Sequence, residues 1–185
     1  QLRAWMEHSC PEALPALRLY QDSAVSLQNL YGLPAKIREA CGKRVWLKSG
    51  GYLVIEETEA CVVIDVNSAK AAGRGDLEKM ILKTNLEAAE EAAKQMRLRN
   101  LSGIIDFIDM VQEESRNILT KTLKAAVEKD RVKTVVVGMT ELGLMQVTRK
   151  KTKPSLLKQT TTNCRSCEGS GRVFSIDWTA AKMRR

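Results

Sequence analysis

Cys61-Val62-Val63-Ile64-Asp65-Val66-Asn67-Ser68 is an apolar run that ends by presenting an acid and an amide. Side chains alternate between the faces of a strand, so Asp65 and Asn67 project one way while Ile64 and Val66 enter the opposite layer. Gly103-Ile104-Ile105-Asp106-Phe107-Ile108-Asp109-Met110 repeats the design, setting a carboxylate into a hydrophobic strand where burial without a partner is costly. If the two strands are neighbours in one sheet, Asp65 and Asp106 converge on a hard cation such as magnesium, which takes oxygen ligands and keeps several waters. The competing reading is that each Asp only ends a strand or caps the next helix. The pair, taken with Asn67, favours the cation.

Working outward, Lys43-Arg44-Val45-Trp46-Leu47-Lys48 alternates, turns at Ser49-Gly50-Gly51 and returns as Tyr52-Leu53-Val54-Ile55, a hairpin leading to the acidic strand. Glu56, Glu57, Thr58 and Glu59 fill the connection. Beyond Asn67, Gly73-Arg74-Gly75-Asp76 reads as a loop ending in a helix cap. The helix that follows carries Leu77, Ile81, Thr84, Ala88, Ala92 and Met96 as one stripe and ends near Arg99. A second helix, from about Glu113 to Asp130, uses Ile118, Leu119, Leu123, Ala126 and Val127. Strands follow at Val132 to Val137 and after the Thr140–Gly143 turn, and Lys158 to Asn163 reads as a polar linker. Strand, helix, strand alternation predicts an α/β layered sheet with flanking helices. Before the hairpin the pattern is helical and interrupted by Pro11 and Pro15, with a short strand at Leu17-Arg18-Leu19-Tyr20 and a helix from Leu27 to Ala40 in which Pro34 lies near the start or at a turn within it.

The 185 residues, 44% hydrophobic and 28% charged, are enough for a real core in one or two soluble domains. No apolar run reaches membrane-spanning length, and the first residues do not resemble a secretion signal. The chain starts at Gln1 and stops at Arg185 just after a new apolar segment begins, so it reads as a piece of something longer. A net charge of +8 favours a polyanionic partner, because Lys and Arg that neutralise phosphates release condensed counterions. Basic residues gather at Lys43, Arg44 and Lys48, at Arg97 and Arg99, and at Arg149-Lys150-Lys151-Thr152-Lys153. Aromatic residues are only 4%, which points to phosphate binding rather than base stacking. His8 is the sole histidine, so histidine-dependent nucleophilic or acid–base chemistry has little support.

Cys10, Cys41 and Cys61 are isolated and read as reduced buried thiols, in keeping with an intracellular protein. Cys164-Arg165-Ser166-Cys167-Glu168-Gly169-Ser170-Gly171 is different: two thiols sit at the spacing that grips one metal, followed by glycines that let backbone amides approach the sulfurs. A tetrahedral structural zinc needs four ligands, and the chain offers no second pair. A homodimer supplying Cys164 and Cys167 from each subunit satisfies a shared zinc; an unmetallated or redox pair is the alternative.

Ile64-Asp65-Val66-Asn67-Ser68-Ala69, the Gly-Arg-Gly-Asp loop, Thr84-Asn85-Leu86-Glu87-Ala88-Ala89, Arg97-Leu98-Arg99, Ile105-Asp106-Phe107-Ile108-Asp109-Met110 and Cys164-Arg165-Ser166-Cys167 occur in this order. With that ordered set the chain resembles the ribonuclease E/G family from about Tyr20 to Gly171. The resemblance implies a magnesium-dependent endoribonuclease that cuts single-stranded RNA in RNA processing and decay and leaves 5′-phosphate ends. It implies a deoxyribonuclease-I-like catalytic subdomain at 44–158, preceded by the end of a ribonuclease-H-like subdomain at 1–43 and followed by a zinc link at 159–172 and the start of a small C-terminal domain at 173–185. By position, Asp65 and Asp106 match the magnesium-binding carboxylates, Asn67 the amide that orients the site, and Cys164 and Cys167 one subunit's half of the zinc link within a family that forms tetramers. Lys133 falls where the family has an arginine that helps sense an RNA 5′ phosphate; the charge is kept but the planar fork is lost. The run before Asp106 is shorter than the family pattern. The family's RNA-binding S1 domain and phosphate-sensing subdomain would precede Gln1, and a cytoplasmic or organellar location follows from the same resemblance. The rival readings are a non-cleaving RNA-binding or zinc-linked assembly module, and a deoxyribonuclease or phosphodiesterase with the same metal chemistry.

Overall fold

A computed structural model describes residues 1–68, 77–173, 175 and 176. The Gly73-Arg74-Gly75-Asp76 loop and most of the 173–185 segment lie outside the described residues. The chain divides into two compact units, Gln1–Ala40 and Cys41–Arg185.

The first unit is helical: α1 (Leu2–Ser9), a 3-10 turn (Pro11–Ala16), α2 (Leu27–Leu30) and α3 (Leu33–Ala40). One expectation fails here and a second is resolved. Leu17–Tyr20 forms no strand, because among the described residues no second strand lies beside it to take its backbone hydrogen bonds, and the Arg18 side chain instead donates to the Leu17 carbonyl at 3.2 Å. Leu27–Ala40 is two helices rather than one: Gly32 takes φ +60°, a left-handed conformation open to glycine, and its N–H closes α2 by donating to the Asn29 carbonyl at 3.0 Å.

The second unit is a mixed α/β layer. Its six strands are β1 (Arg44–Trp46), β2 (Tyr52–Glu57), β3 (Val62–Asn67), β4 (Gly103–Asp106), β5 (Thr134–Met139) and β6 (Leu144–Arg149), in the spatial order β1-β2-β3-β4-β6-β5. Among the described residues only β3 and β4 run parallel, joined by the crossover helix α4 (Leu77–Arg99); α5 (Glu113–Val127) leads from β4 to β5. Strand alternation sends Leu53, Ile55, Ile64, Val66, Ile105, Met145 and Val147 to one side, where they pack against Ala88, Ala89, Ala92, Met96, Leu119 and Leu123. The run of alanines along α4 lets that helix lie close to the sheet. Leu77 and Ile118, expected in the packed stripes, are instead exposed. The other side of the sheet, among the described residues, carries no helix of this unit.

Glu56 and Glu57 belong to β2 rather than to the connection, because β2 pairs with β3 as far as Glu57↔Val62. Glu56 meets Lys43 at 2.9 Å, and Glu57 accepts from the Ser155 hydroxyl at 2.7 Å. Residues 158–163 are not a plain linker: Ser155 caps a short helix, α6 (Leu156–Thr160), by accepting from the Lys158 N–H.

Two of the three basic clusters are partly structural. Arg149 is buried, its Nε 2.6 Å from Asp130 Oδ2, and it also donates to Asn100 Oδ1. Arg99 is buried as well, donating to Gln95 at 2.8 Å and to the Gly42 carbonyl at 2.7 Å. Each guanidinium is tied up inside the fold, which leaves Lys150, Lys151, Lys153 and Arg97 to carry the exposed charge.

Candidate active site

The parallel β3–β4 pairing sets Asp65 directly beside Asp106. Adjacent strands lie ~4.8 Å apart, so the two exposed carboxylates stand side by side on the face away from the helices. Asn67, one alternation further along β3, turns its amide back and donates to Asp65 Oδ2 at 2.7 Å. That bond fixes which Asp65 oxygen remains open. Burial raises the Asp106 carboxyl above its ordinary range, and the negative charges of Asp65 and then Asp109 push it further the same way. A cation is the partner such a group of like charges calls for.

Two glycines hold the strands at this spacing. A Cβ at Gly103 would overlap the Val62 carbonyl oxygen, so only glycine allows β4 to begin against β3. A Cβ at Gly51 would lie 2.6 Å from the carbonyl oxygen of Asn67. One turn of α4 then pins both loops that flank the acids. Asn85, fully buried, donates to the Ile108 carbonyl at 2.7 Å and accepts from the Ile108 N–H at 3.1 Å, mimicking a strand partner for the segment leaving Asp106. Glu87 accepts from the N–H groups of Lys48 and Ser49 in the β1–β2 turn. Partial burial opposes its ionisation, but the Ser49 and Lys48 bonds outweigh that and lower its pKa.

Asn85, Glu87 and Asp109 stand in motifs quoted from the sequence, but the sequence assigns them no role of their own. The signal for Asn85 is a polar pair, Thr84-Asn85, set into a stripe otherwise made of alanine and larger apolar residues. Lys133 is exposed and stands apart from the acids: its carbonyl accepts from the Lys150 N–H, whereas Asp106 pairs with Leu144 at the other end of β6. At ~3.4 Å per residue that is ~20 Å along the strand.

Cys164 and Cys167 lie in one tight turn. The Cys164 thiol is exposed and accepts from the N–H groups of Ser166 and Cys167, which lower its pKa. Positive φ at Glu168 (49°), Gly169 (90°) and Gly171 (70°) turns the chain just after Cys167, whose carbonyl accepts from the Ser170 N–H at 2.8 Å. Among the described residues no cluster of three or more His, Cys, Asp or Glu is assembled around one point. The donor sets therefore differ in what they fit. Two carboxylates with an ordered amide suit a hard cation that retains waters, and two thiols suit half of a tetrahedral zinc.

The model of the Ribonuclease E/G family matches residues 1–152. Ribonuclease G of Haemophilus influenzae is 41% identical over 187 aligned positions, covering 100% of this chain and 38% of that protein. Ribonuclease G of Escherichia coli K12 is 41% identical over 85% of the chain and 32% of its own length. The chloroplastic Ribonuclease E/G-like protein of Arabidopsis thaliana is 38% identical over 97% of the chain and 18% of its own length. The chain thus spans well under half of these relatives, and on the extent of the family match it belongs to the ribonuclease E/G family.

Proposed function

We propose that the protein to which this chain belongs is an endoribonuclease acting in RNA processing, and that Asp65, Asp106 and Asn67 form its catalytic centre. The observation that carries this reading is the side-by-side register of Asp65 and Asp106 on the open sheet face, with Asn67 locking one carboxylate. The names of the relatives, Ribonuclease G and Ribonuclease E, support the substrate class.

On this reading the two carboxylates hold Mg2+, which when bound supplies charge neutralisation at the phosphodiester and an activated water. The chain's own contribution is placement. Asn67 keeps Asp65 in one rotamer, Asn85 holds the backbone beyond Asp106, and the bare sheet face admits an unpaired RNA strand. Hydrolysis leaves a 5′ phosphate and a 3′ hydroxyl, and no histidine is needed.

The same reading assigns a deoxyribonuclease-I-like catalytic subdomain to 44–158, the end of a ribonuclease-H-like subdomain to 1–43, a zinc link to 159–172 and the start of a small domain to 173–185. Cys164 and Cys167 supply half of a zinc site whose other half comes from a second copy, within a tetramer of the full-length protein. Lys133, remote from the acids, serves as a contact for an RNA 5′ phosphate. The location is cytoplasmic or organellar; among the described residues no helix is long and apolar enough to cross a membrane.

The test is Mg2+-dependent cleavage of a fluorogenic single-stranded RNA by the chain and by Asp106→Asn, with a DNA strand in parallel. Cleavage of RNA alone that is lost in the variant supports the reading. Equal rates in the two proteins reject the role given to Asp106, and equal cleavage of DNA rejects the substrate class.

A further inference from the structure

One row of the open sheet face carries the acids, and the next carries a pair of rings. Arg44 on β1 faces Val54 on β2, which faces Asp65 on β3, which faces Asp106 on β4. Alongside, Trp46 faces Tyr52, which faces Asn67. Trp46 and Asn67 are therefore two strands apart, a backbone separation of ~10 Å.

The rings are arranged rather than merely present. Trp46 and Tyr52 meet edge to face, with centroids 5.2 Å apart and planes at 61°. The Arg44 guanidinium carbon lies 4.5 Å from the Tyr52 ring centre and 5.6 Å from that of Trp46. Among the described residues no carboxylate pairs with Arg44, so the cation stands available beside the rings. Trp46 is 65% exposed, and an indole held on an edge strand by two neighbours has little freedom left to lose on meeting a flat partner. A lone exposed tryptophan is ordinary on a protein surface. What marks this one is the adjoining cation and its continuity with the row of acids.

We propose that Arg44, Trp46 and Tyr52 form a nucleobase subsite for single-stranded RNA at the Asp65–Asp106 centre. A base lies on the Trp46 indole, Tyr52 braces the ring, and Arg44 meets the flanking phosphate. This rests on the endoribonuclease reading for the identity of the strand. A phosphodiester lying over the acids brings a neighbouring nucleotide to the aromatic row, and because every base has a flat face the subsite tolerates sequence while rejecting a missing base. The low aromatic content, which pointed to a phosphate binder, is offset by where two of the rings stand.

The experiment measures fluorescence anisotropy of a labelled single-stranded RNA and of the same strand with abasic positions, without Mg2+, for the chain and for Trp46→Leu, Trp46→Phe, Tyr52→Leu and Arg44→Gln. Trp46→Leu is expected to weaken binding of the intact strand roughly tenfold and to leave the abasic strand unchanged, with Trp46→Phe recovering most of the loss. Arg44→Gln is expected to weaken both strands and to flatten the salt dependence by about one phosphate. Trp46 is exposed, so the Leu variant folds as the parent does, which thermal unfolding checks. If intact and abasic strands keep the parent's affinity ratio in Trp46→Leu, or if the parent binds neither, the subsite is rejected. Cleavage with Mg2+ is scored in parallel. Cleavage together with an unchanged ratio rejects only the subsite, and a base-dependent loss without cleavage upholds the subsite and rejects the nuclease reading.

Discussion

Replacing Arg149 by Met tests how much of the second unit hangs on one ion pair. Side-chain exposure is 6% for Arg149 and 7% for Asp130, and Arg149 Nε lies 2.6 Å from Asp130 Oδ2. Asp130 also accepts from the Val132 N–H at 2.9 Å, and Arg149 also donates to Asn100. Met fills similar volume but leaves the Asp130 charge buried without its partner, a change that costs ~3–5 kcal/mol. In a unit of this size that is a fall in Tm of roughly 6–20 °C at neutral pH. Acid changes the comparison. The Arg149 hydrogen bond and charge hold the Asp130 carboxyl below its ordinary value of 3.8, against the opposing effect of burial. The parent therefore has this stabilisation above the ordinary carboxylate range and loses it as pH falls through the depressed value. In Arg149→Met only burial and weaker bonds remain, so the variant gains relative stability as Asp130 takes up a proton. Urea unfolding at pH 7 and near pH 4 measures both gaps. A neutral-pH loss under ~1 kcal/mol, or a gap that fails to narrow in acid, refutes the reasoning.

Gly103→Ala forces a Cβ onto the Val62 carbonyl at the start of the parallel pair; a loss of ~1–3 kcal/mol or more is expected, with faster hydrogen exchange at the Ile64 and Asp65 amides than elsewhere in the sheet. Asn85→Ala strips the N–H and carbonyl of Ile108 of their partner, with an expected cost of ~1–3 kcal/mol and a fall in RNA cleavage that exceeds any change in RNA affinity. Cys164→Ser with Cys167→Ser removes the thiol pair; native mass measurement and metal analysis are expected to give half an equivalent of zinc per chain in a parent dimer and none in the variant. A monomeric parent without zinc contradicts that account.

Alternation and helical spacing made the centre of the fold legible. The β3 pattern of Val62 to Asn67 separated a packed face from an open one, and the α4 stripe from Ile81 to Met96 and the hairpin at Ser49-Gly50-Gly51 appear as expected from their periods and turn residues, whereas Leu77 falls outside the packed stripe. The side-by-side register of Asp65 and Asp106 was a condition that periodicity leaves open, since it depends on Gly103 allowing the strands to close. What sequence could not reveal depends on distant partners. Arg149 looked like surface charge until Asp130 and Asn100 enclosed it, and Leu17–Tyr20 alternated without a neighbouring strand to pair with. Asn85 and Glu87 act through backbone groups of other elements, which no local pattern records. Tyr52 and Trp46 likewise become a pair only when β1 folds onto β2.

Divalent-ion binding by the two acids is the claim on which the rest turns, and Mn2+ titration followed by electron paramagnetic resonance reads it without requiring turnover. One ion per chain is expected at this site, lost in Asp65→Asn and in Asp106→Asn, and displaced by Mg2+ in the parent. Undiminished Mn2+ binding by the double variant would place the ion elsewhere and contradict the account.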